Sequence, residues 1–305
     1  DNEIGELKEE YLTLIAYYPD GTGFTKISST PNHEIATPQG LVMAGDLDLG
    51  DEILALHDEV IFSRDLYQLI LGSMLGDGSI RKSGHHTGYF REEHAPAQAE
   101  YVDWKRSMFG DLARAIHSTE GRYGFETVPL SAFGRLKSLF YRENGRYKTI
   151  NERALRQLTP FSLAVWYQDD GSLQDEAGKR KRNSIYFHTT DEETRQMVVQ
   201  VLHEVFGLTA KAHATKTSTV ISFSGEEAVK FERIVAPYVH ASMAYKLRDT
   251  TDIGTCLPEL QMNYTTEQIS LPCEIYEIRR KLRKGREAVK YNLQVEGNAN
   301  YIVGN

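Results

Sequence analysis

The hydrophobic pattern changes period along the chain, and the changes divide it into three stretches. Up to about residue 60, apolar positions fall in short alternating runs separated by turn residues. LTLIAYYPDGTGFTKI reads as a hairpin about Pro19–Gly23, and GLVMAG and EILALH follow as strands joined by DLDLGD. From Asp65 the alternation stops. LYQLILGSMLG is apolar on all sides and suits a buried helix. GSIRKSGHHTGYFREEH then reads as two strands about a Gly/His turn. AQAEYVDWKRSMFGDLARAI takes up a helical period, with Tyr101, Trp104, Met108 and Leu112 on one face.

The second half repeats the first. PFSLAVWYQDDG is again a buried helix, GSLQDEAGKRKRNSIYFHTT a hairpin with a basic tip, and DEETRQMVVQVLHEVFGL a helix with an acidic first turn. STVISFSG alternates as a strand, and EEAVKFERIVAPYV reads as a further helix. Three pairs of segments match in the same order: DGSI with DGSL, MFGDL with VFGL, and RYKTI with AYKLR. The pattern predicts two copies of an αββαββα unit across residues 65–250, related by pseudo-two-fold symmetry. Repeat one covers 65–150 and repeat two 160–250, within a domain of 61–255. Residues 256–305 return to strand patterning and resemble the first sixty more than the middle. The fold class is therefore α+β, a duplicated domain inserted into an all-β one split between 1–60 and 256–305.

Composition adds a division of charge. The formal net charge is −8, yet residues 1–60 alone sum to −11 and the remainder to +3. The remainder carries KRKR at 179–182 and RRKLRKGR at 279–286. Such a split suits a chain whose parts do separate jobs. Two cysteines, Cys256 and Cys273, argue against a disulfide framework or a cysteine zinc site. No run approaches the apolar length of a membrane span, and the acidic start lacks the positive region of a signal peptide. A soluble, cytoplasmic, monomeric protein with no membrane partner is expected.

Candidate chemistry sits where each buried helix ends. Asp77-Gly78 and Asp170-Gly171 lie ninety-three positions apart. Gly72, Ser73 and Gly76, with Ala164 opposite, give the helices small-residue faces on which two backbones can approach closely. Either Asp-Gly alone would simply end a helix and open a turn. Together, on duplicated helices, they bring two carboxylates to one place, and such a pair repels unless cations intervene. Hard oxygen donors in small number suit Mg²⁺, with Mn²⁺ the alternative. Divalent cations so placed activate water and stabilise a leaving oxygen in phosphodiester hydrolysis.

LILGSMLGDG (69–78) and LAVWYQDDG (163–171) resemble the two motifs of the LAGLIDADG homing endonucleases. The resemblance implies a metal-dependent endodeoxyribonuclease that cuts both strands of a long double-stranded DNA target. It implies Asp77 and Asp170 as metal ligands, with Gly76 and Asp169 in the preceding positions at the rim of the metal group. It also implies one lysine per repeat near the attacking water, Lys148 and Lys246, each after a tyrosine; two solvated lysines at domain ends are the plainer alternative. Strand cations Arg81, Lys82, His85 and Arg91 in repeat one, and Lys179, Arg180, Lys181 and Arg182 in repeat two, are the expected DNA contacts. Charges on a hairpin tip are otherwise simply solvated.

The flanks carry a second resemblance. TPNHEIATPQGLVMAGDLDLGDEI (30–53) and KYNLQVEGNANYIVGN (290–305) are similar to blocks of an intein, the Hint-fold protein-splicing domain. That likeness implies splicing roles for Thr30, His33 and Asn292, and a host protein whose exteins flank the chain. Three departures stand against splicing by this chain alone: Asp1 in place of Cys or Ser, the ending Gly304-Asn305, and Ala299 where a histidine is usual. A nucleic-acid-binding regulator or maturase without cleavage, and a Hint module carrying an inactive endonuclease, are the competing readings.

Overall fold

The computed structural model describes residues 9–18, 24–83, 87–141, 148–176, 179–188 and 191–283. The turn at 19–23, the basic turn near Gly285 and Asn292 lie outside them. The chain divides into two compact units, one of residues 1–59, 84–87 and 266–305, the other of residues 60–83 and 88–265. The second boundary falls about ten residues later than the change of pattern at 256 suggests. The cause is that residues 257–264 pack on the duplicated unit: Gln261 N–H donates to Asp65 Oδ2 at 2.8 Å, and Leu257, Leu260 and Met262 lie against its core.

The regular elements among the described residues of the first unit are β-strands, apart from one short 3-10 turn at Ala44–Asp46. Strands β1 (Glu9–Tyr17), β2 (Phe24–Ser29), β5 (Glu52–Phe62) and β14 (Tyr264–Arg283) form a sheet in the order β2-β1-β14-β5, and β3 (Glu34–Thr37) pairs with β4 (Gly40–Met43). β1 runs antiparallel to both β2 and β14, with Leu14 opposite Ile27 and Ile278. Along β2 the alternation is clean: Thr25, Ile27 and Ser29 turn inward while Phe24, Lys26 and Ser28 face outward. Leu12, Leu14, Ile53, Ala55, Cys273 and Ile275 make the core.

The second unit holds two αββαββα repeats. In repeat one α1 (Arg64–Leu75) leads into β6 (Ser79–Lys82), β7 (Gly88–His94), α2 (Ala99–Met108), β8 (His117–Thr119), β9 (Arg122–Glu126) and α3 (Ser131–Phe140). A short α4 (Glu152–Leu155) connects to repeat two: α5 (Pro160–Asp170), β10 (Gly171–Glu176), β11 (Lys179–Phe187), α6 (Glu192–Phe206), β12 (Lys211–Ala214), β13 (Thr219–Phe223) and α7 (Glu226–Val235). The sheet orders correspond, β6-β7-β9-β8 and β10-β11-β13-β12. The pairing registers correspond too, since Ser79 faces Arg91 while Ser172 faces Ser184.

Each motif helix begins on a hydroxyl cap. Ser63 accepts from Leu66 N–H at 3.2 Å, and Thr159 forms a capping box with Ser162 ahead of Pro160. Two glutamines bind the helices to the surrounding backbone: Gln68 donates to Gln157 O at 2.9 Å, and Gln168 accepts from His240 N–H at 2.7 Å. The helices then pack on one another. A β-carbon on Gly72 would stand 2.5 Å from Ser162 O and 2.8 Å from Val165 Cβ, and one on Gly76 would overlap the side chain of Asp169. Only glycine permits that approach. Trp166, Tyr101, Phe90, Phe125, Phe133 and Phe223 fill the surrounding core, each burial stabilising the fold by roughly 1.5–3 kcal/mol.

In an exposed helix, alanine is favoured over glycine by about 1 kcal/mol. Gly72→Ala should do the opposite, lowering stability by about 1–3 kcal/mol through overpacking. A shift of the urea midpoint to lower concentration measures this; an unchanged or raised midpoint would refute the close contact.

Candidate functional site

α1 ends at Leu75 and α5 two register positions later at Asp170, so Asp77 stands in a turn and Asp170 on the last helical residue. Both line one groove of about 1060 Å³, together with Gly76, Arg81, Lys82, Lys137, Tyr141 and Lys148. Burial, and then the charges of Asp77 and Asp169, push the Asp170 carboxyl up to about 7. The two carboxylates predicted from the motifs thus share one electrostatic site.

Lys148 and Lys246 are not solvated ends. Lys148 Nζ donates to the carbonyl oxygens of Gly76 and Gly78, the latter at 2.7 Å. Lys246 Nζ, in repeat two, donates to Gln168 O at 2.5 Å and Asp169 O at 3.2 Å. Each lysine therefore grips the end of its own motif. Burial lowers both pKa values, while the Asp77 and Asp170 carboxylates pull them back up. A further network holds Lys246 from behind: Tyr167 Oη donates to its carbonyl at 2.5 Å, and Asn183, Glu232 and Arg248 close the circuit.

Asp169 does not lie at the rim. Its side chain is fully buried and passes through the space left by Gly76 into repeat one. There Lys105 Nζ donates to its two oxygens at 2.7 and 2.9 Å, and Tyr101 Oη at 3.0 Å. Lys105 also reaches Ser73 Oγ at 2.9 Å and Glu92 Oε1 at 2.5 Å. His94 Nε2 lies 2.8 Å from the same Glu92 oxygen, and its Nδ1 lies 3.4 Å from Asp77 Oδ2. Burial alone would raise the Glu92 carboxyl, but the Lys105 ammonium and the His94 hydrogen bond hold it near 2. Burial alone would likewise neutralise Lys105, and the carboxylates of Asp169 and Glu92 keep it charged.

Sequence reasoning passed over Glu92, His94, Tyr101 and Lys105 as site residues. The signal for three of them lay in the pattern. Phe90 marks the inner face of β7, and a period of two carries that face to Glu92 and His94. Lys105 follows Tyr101 by four, on the helix face already assigned to the core.

The expected DNA contacts divide. Arg81 and Lys82 are exposed and line the groove. Arg91 is partly buried, and its guanidinium pairs with Glu93 at 2.7 Å and Glu126 at 3.1 Å. Arg182 donates to Gln174 Oε1 at 2.8 Å. His85 and the side chains of Lys179, Arg180 and Lys181 lie outside the described residues. In the all-β unit, His33 N–H donates to Thr30 O at 3.1 Å, so these two residues close a turn ahead of β3.

Two like repeats, paired motif helices and carboxylates meeting in one groove define a class of protein, and comparison identifies it. The family model described as the LAGLIDADG DNA endonuclease family matches residues 67–231, and the chain belongs to that family. It is similar to Protein RecA of Mycolicibacterium fallax, 32% identical over 308 residues that cover 97% of this chain and 72% of that protein. It is also similar to the cytochrome b mRNA maturase bI2 of Saccharomyces cerevisiae, 28% identical over 230 residues, 68% of this chain and 51% of the maturase. Among solved structures, the homing endonuclease I-WcaI bound to its DNA recognition sequence shares the fold, with a TM-score of 0.54, 22% identity, and coverage of 61% of this chain and 86% of that one.

Removing a buried ammonium leaves its carboxylates unpaired. Lys105→Met should therefore cost about 3–5 kcal/mol in denaturant unfolding, and adding Asp169→Asn with Glu92→Gln should recover part of that loss. For Asp170, a carboxyl at about 7 in the fold against roughly 3.9 unfolded opposes folding increasingly as pH rises between the two. Asp170→Asn should stabilise the metal-free protein above pH 7, by at most about 4 kcal/mol, and change little at pH 4. Unfolding curves of both proteins across that range decide it, and a constant difference would refute the raised carboxyl.

Proposed function

We propose that this chain is a site-specific, divalent-metal-dependent endonuclease that hydrolyses both strands of a double-stranded DNA target. The observation that carries the reading is the meeting of Asp77 and Asp170 in a single groove at the foot of the paired helices. The residues fit a cation. Burial and the neighbouring Asp77 charge raise the Asp170 carboxyl there, as befits a group waiting for positive charge, and the flanking ammonium groups are tied to backbone carbonyls rather than paired with either carboxylate. Asp77 and Asp170 would hold divalent ions, Mg²⁺ or Mn²⁺, which supply water activation and charge stabilisation at the leaving oxygen.

The chain's own groups do the rest. Lys148 and Lys246 fix the motif ends and set two positive charges beside the scissile phosphate, where they favour the extra negative charge of the transition state. Arg81 and Lys82 hold the duplex by its phosphates, so affinity falls steeply with salt. Unlike halves in one polypeptide suit an asymmetric target read by a monomer in a DNA-containing compartment.

We also propose that the all-β unit is the Hint domain of an intein, with Thr30 and His33 at its splice junction. What supports this is the likeness of residues 30–53 and 290–305 to intein blocks; the similarity to the M. fallax protein covers 97% of the chain and so includes these flanks, without identifying them. A second reading, an RNA-directed maturase, draws its support from the yeast relative. It predicts binding to a structured RNA without DNA cleavage.

The experiment is a selection for cleavage from a randomised duplex library, followed by kinetics on the selected site. With Mg²⁺ the protein should cut both strands, and chelation should abolish cutting. Asp77→Asn and Asp170→Asn should each reduce double-strand cleavage at least 10³-fold while sparing DNA binding. Normal cleavage by either variant would refute the assignment.

A further inference from the structure

The ninety-three-residue offset that relates Asp77 to Asp170 also relates Glu92 to Ile185, His94 to Phe187 and Lys105 to Val198. The strand registers carry the same offset for Glu92 and His94, and Lys105 meets a buried apolar residue either way, at Val198 by that offset or at Leu202 by the offset of the MFGDL and VFGL match. All three counterparts in repeat two are buried hydrophobics. The polar groups around Asp77 therefore have no equivalent around Asp170, and two halves that share one fold differ in chemistry.

His94 is the group this asymmetry turns on. Its imidazole is fully buried and clamped by Glu92 at Nε2, which leaves Nδ1 directed at Asp77, with Gln98 Oε1 3.1 Å away. An imidazole held by a carboxylate on one nitrogen and presenting the other beside an acidic ligand is the usual support of a metal-bound histidine. The 3.4 Å between His94 Nδ1 and Asp77 Oδ2 also suits a shared ion. Two donors each about 2.1 Å from one metal lie roughly 3.0–3.4 Å apart at octahedral to tetrahedral angles.

Asp77, His94 and Asp169 all have donor atoms within 4.8 Å of one another, but Asp169 is already taken. Its oxygens accept from Lys105 and Tyr101, and an ion seated on them would face the Lys105 ammonium. Asp77 is the exposed member, at 39% of its side-chain surface, and opens the pair to the groove. In repeat two His188 also lines the groove, yet belongs to no such group among the described residues.

The geometry points to His94 as a nitrogen ligand of the cation at Asp77, so that one half of the site binds metal through nitrogen and oxygen and the other through oxygen alone. This rests on the endonuclease reading for the presence of a cation at Asp77. An imidazole donor shifts preference from Mg²⁺ toward first-row ions such as Mn²⁺ and Co²⁺. The Asp77 half should therefore work at lower Mn²⁺ than the Asp170 half, and limiting Mn²⁺ should leave nicked duplex cut on one strand.

The test is electron spin-echo spectroscopy of the full chain loaded with Mn²⁺, without DNA. The wild type should show nitrogen-14 modulation from a directly bound imidazole. His94→Phe, which copies Phe187 of the other half, should lose it and bind that Mn²⁺ about ten- to hundredfold more weakly. Asp170→Asn should keep it. His94→Asn serves as a second variant, with thermal unfolding to confirm that each is folded. Modulation that persists in folded His94→Phe or His94→Asn, or that is absent from a wild type binding Mn²⁺ through Asp77, would overturn the proposal. That failure is distinct from failure of the endonuclease reading, in which Asp77→Asn and Asp170→Asn leave cleavage intact or the wild type cuts no duplex whatever His94 does.

Discussion

The separation of α1 and α5 governs everything else in the duplicated unit. Gly72 and Gly76 set it, because the atoms a side chain would need there are the Ser162 carbonyl and the Asp169 carboxyl. Close helix backbones bring Asp77 and Asp170 into one groove. They also leave a passage at Gly76 through which one repeat reaches into the other. Move the helices apart by a methyl group and the acidic pair would separate while Asp169 lost its contact with Lys105.

Charge is handled in two ways at this seam. Deep in it, Glu92 and Asp169 are neutralised by a resident ammonium and their neighbours. At its foot, Asp77 and Asp170 have no ammonium on their carboxylates among the described residues, since the two nearest lysines spend their protons on main-chain carbonyls. Buried ion pairs are weak sources of stability, because desolvation offsets attraction. The deep cluster is better explained by placement, and the carboxylates without an ammonium at the foot by readiness for a cation.

Much of this could be read from residue order. The all-apolar helices, the Asp-Gly endings and the parallel hairpins gave the duplication, because each is a local pattern with a short period. The lysines at the repeat ends could be read as well, as Lys148 and Lys246 each close a matching segment. The interior polar cluster could not be read the same way. Charged residues are assigned to water by default, and Glu92 and Lys105 break that rule only because Asp169 arrives from another part of the chain. The ion pairs of Arg91 were hidden for a related reason: its partner Glu126 is adjacent only once β7 and β9 pair. Pattern reading fails where a charge is cancelled by a residue distant in sequence.

That cross-seam cancellation explains why two related halves stay together as one unlike pair. Two copies of repeat two would set Asp169 against Asp169, where the present structure has Gly76, and would offer each carboxylate Val198 in place of Lys105. Two copies of repeat one would bring Gly76 to Gly76 and leave each Lys105 with Glu92 alone, without its two hydrogen bonds to Asp169. Pairing two copies of repeat two buries uncompensated charge, at several kcal/mol for each group, whereas the unlike pairing satisfies it. The cluster thus selects one pairing by penalising the others. An apolar seam would have packed as well and discriminated less, and the two faces of the groove could not then have been kept different.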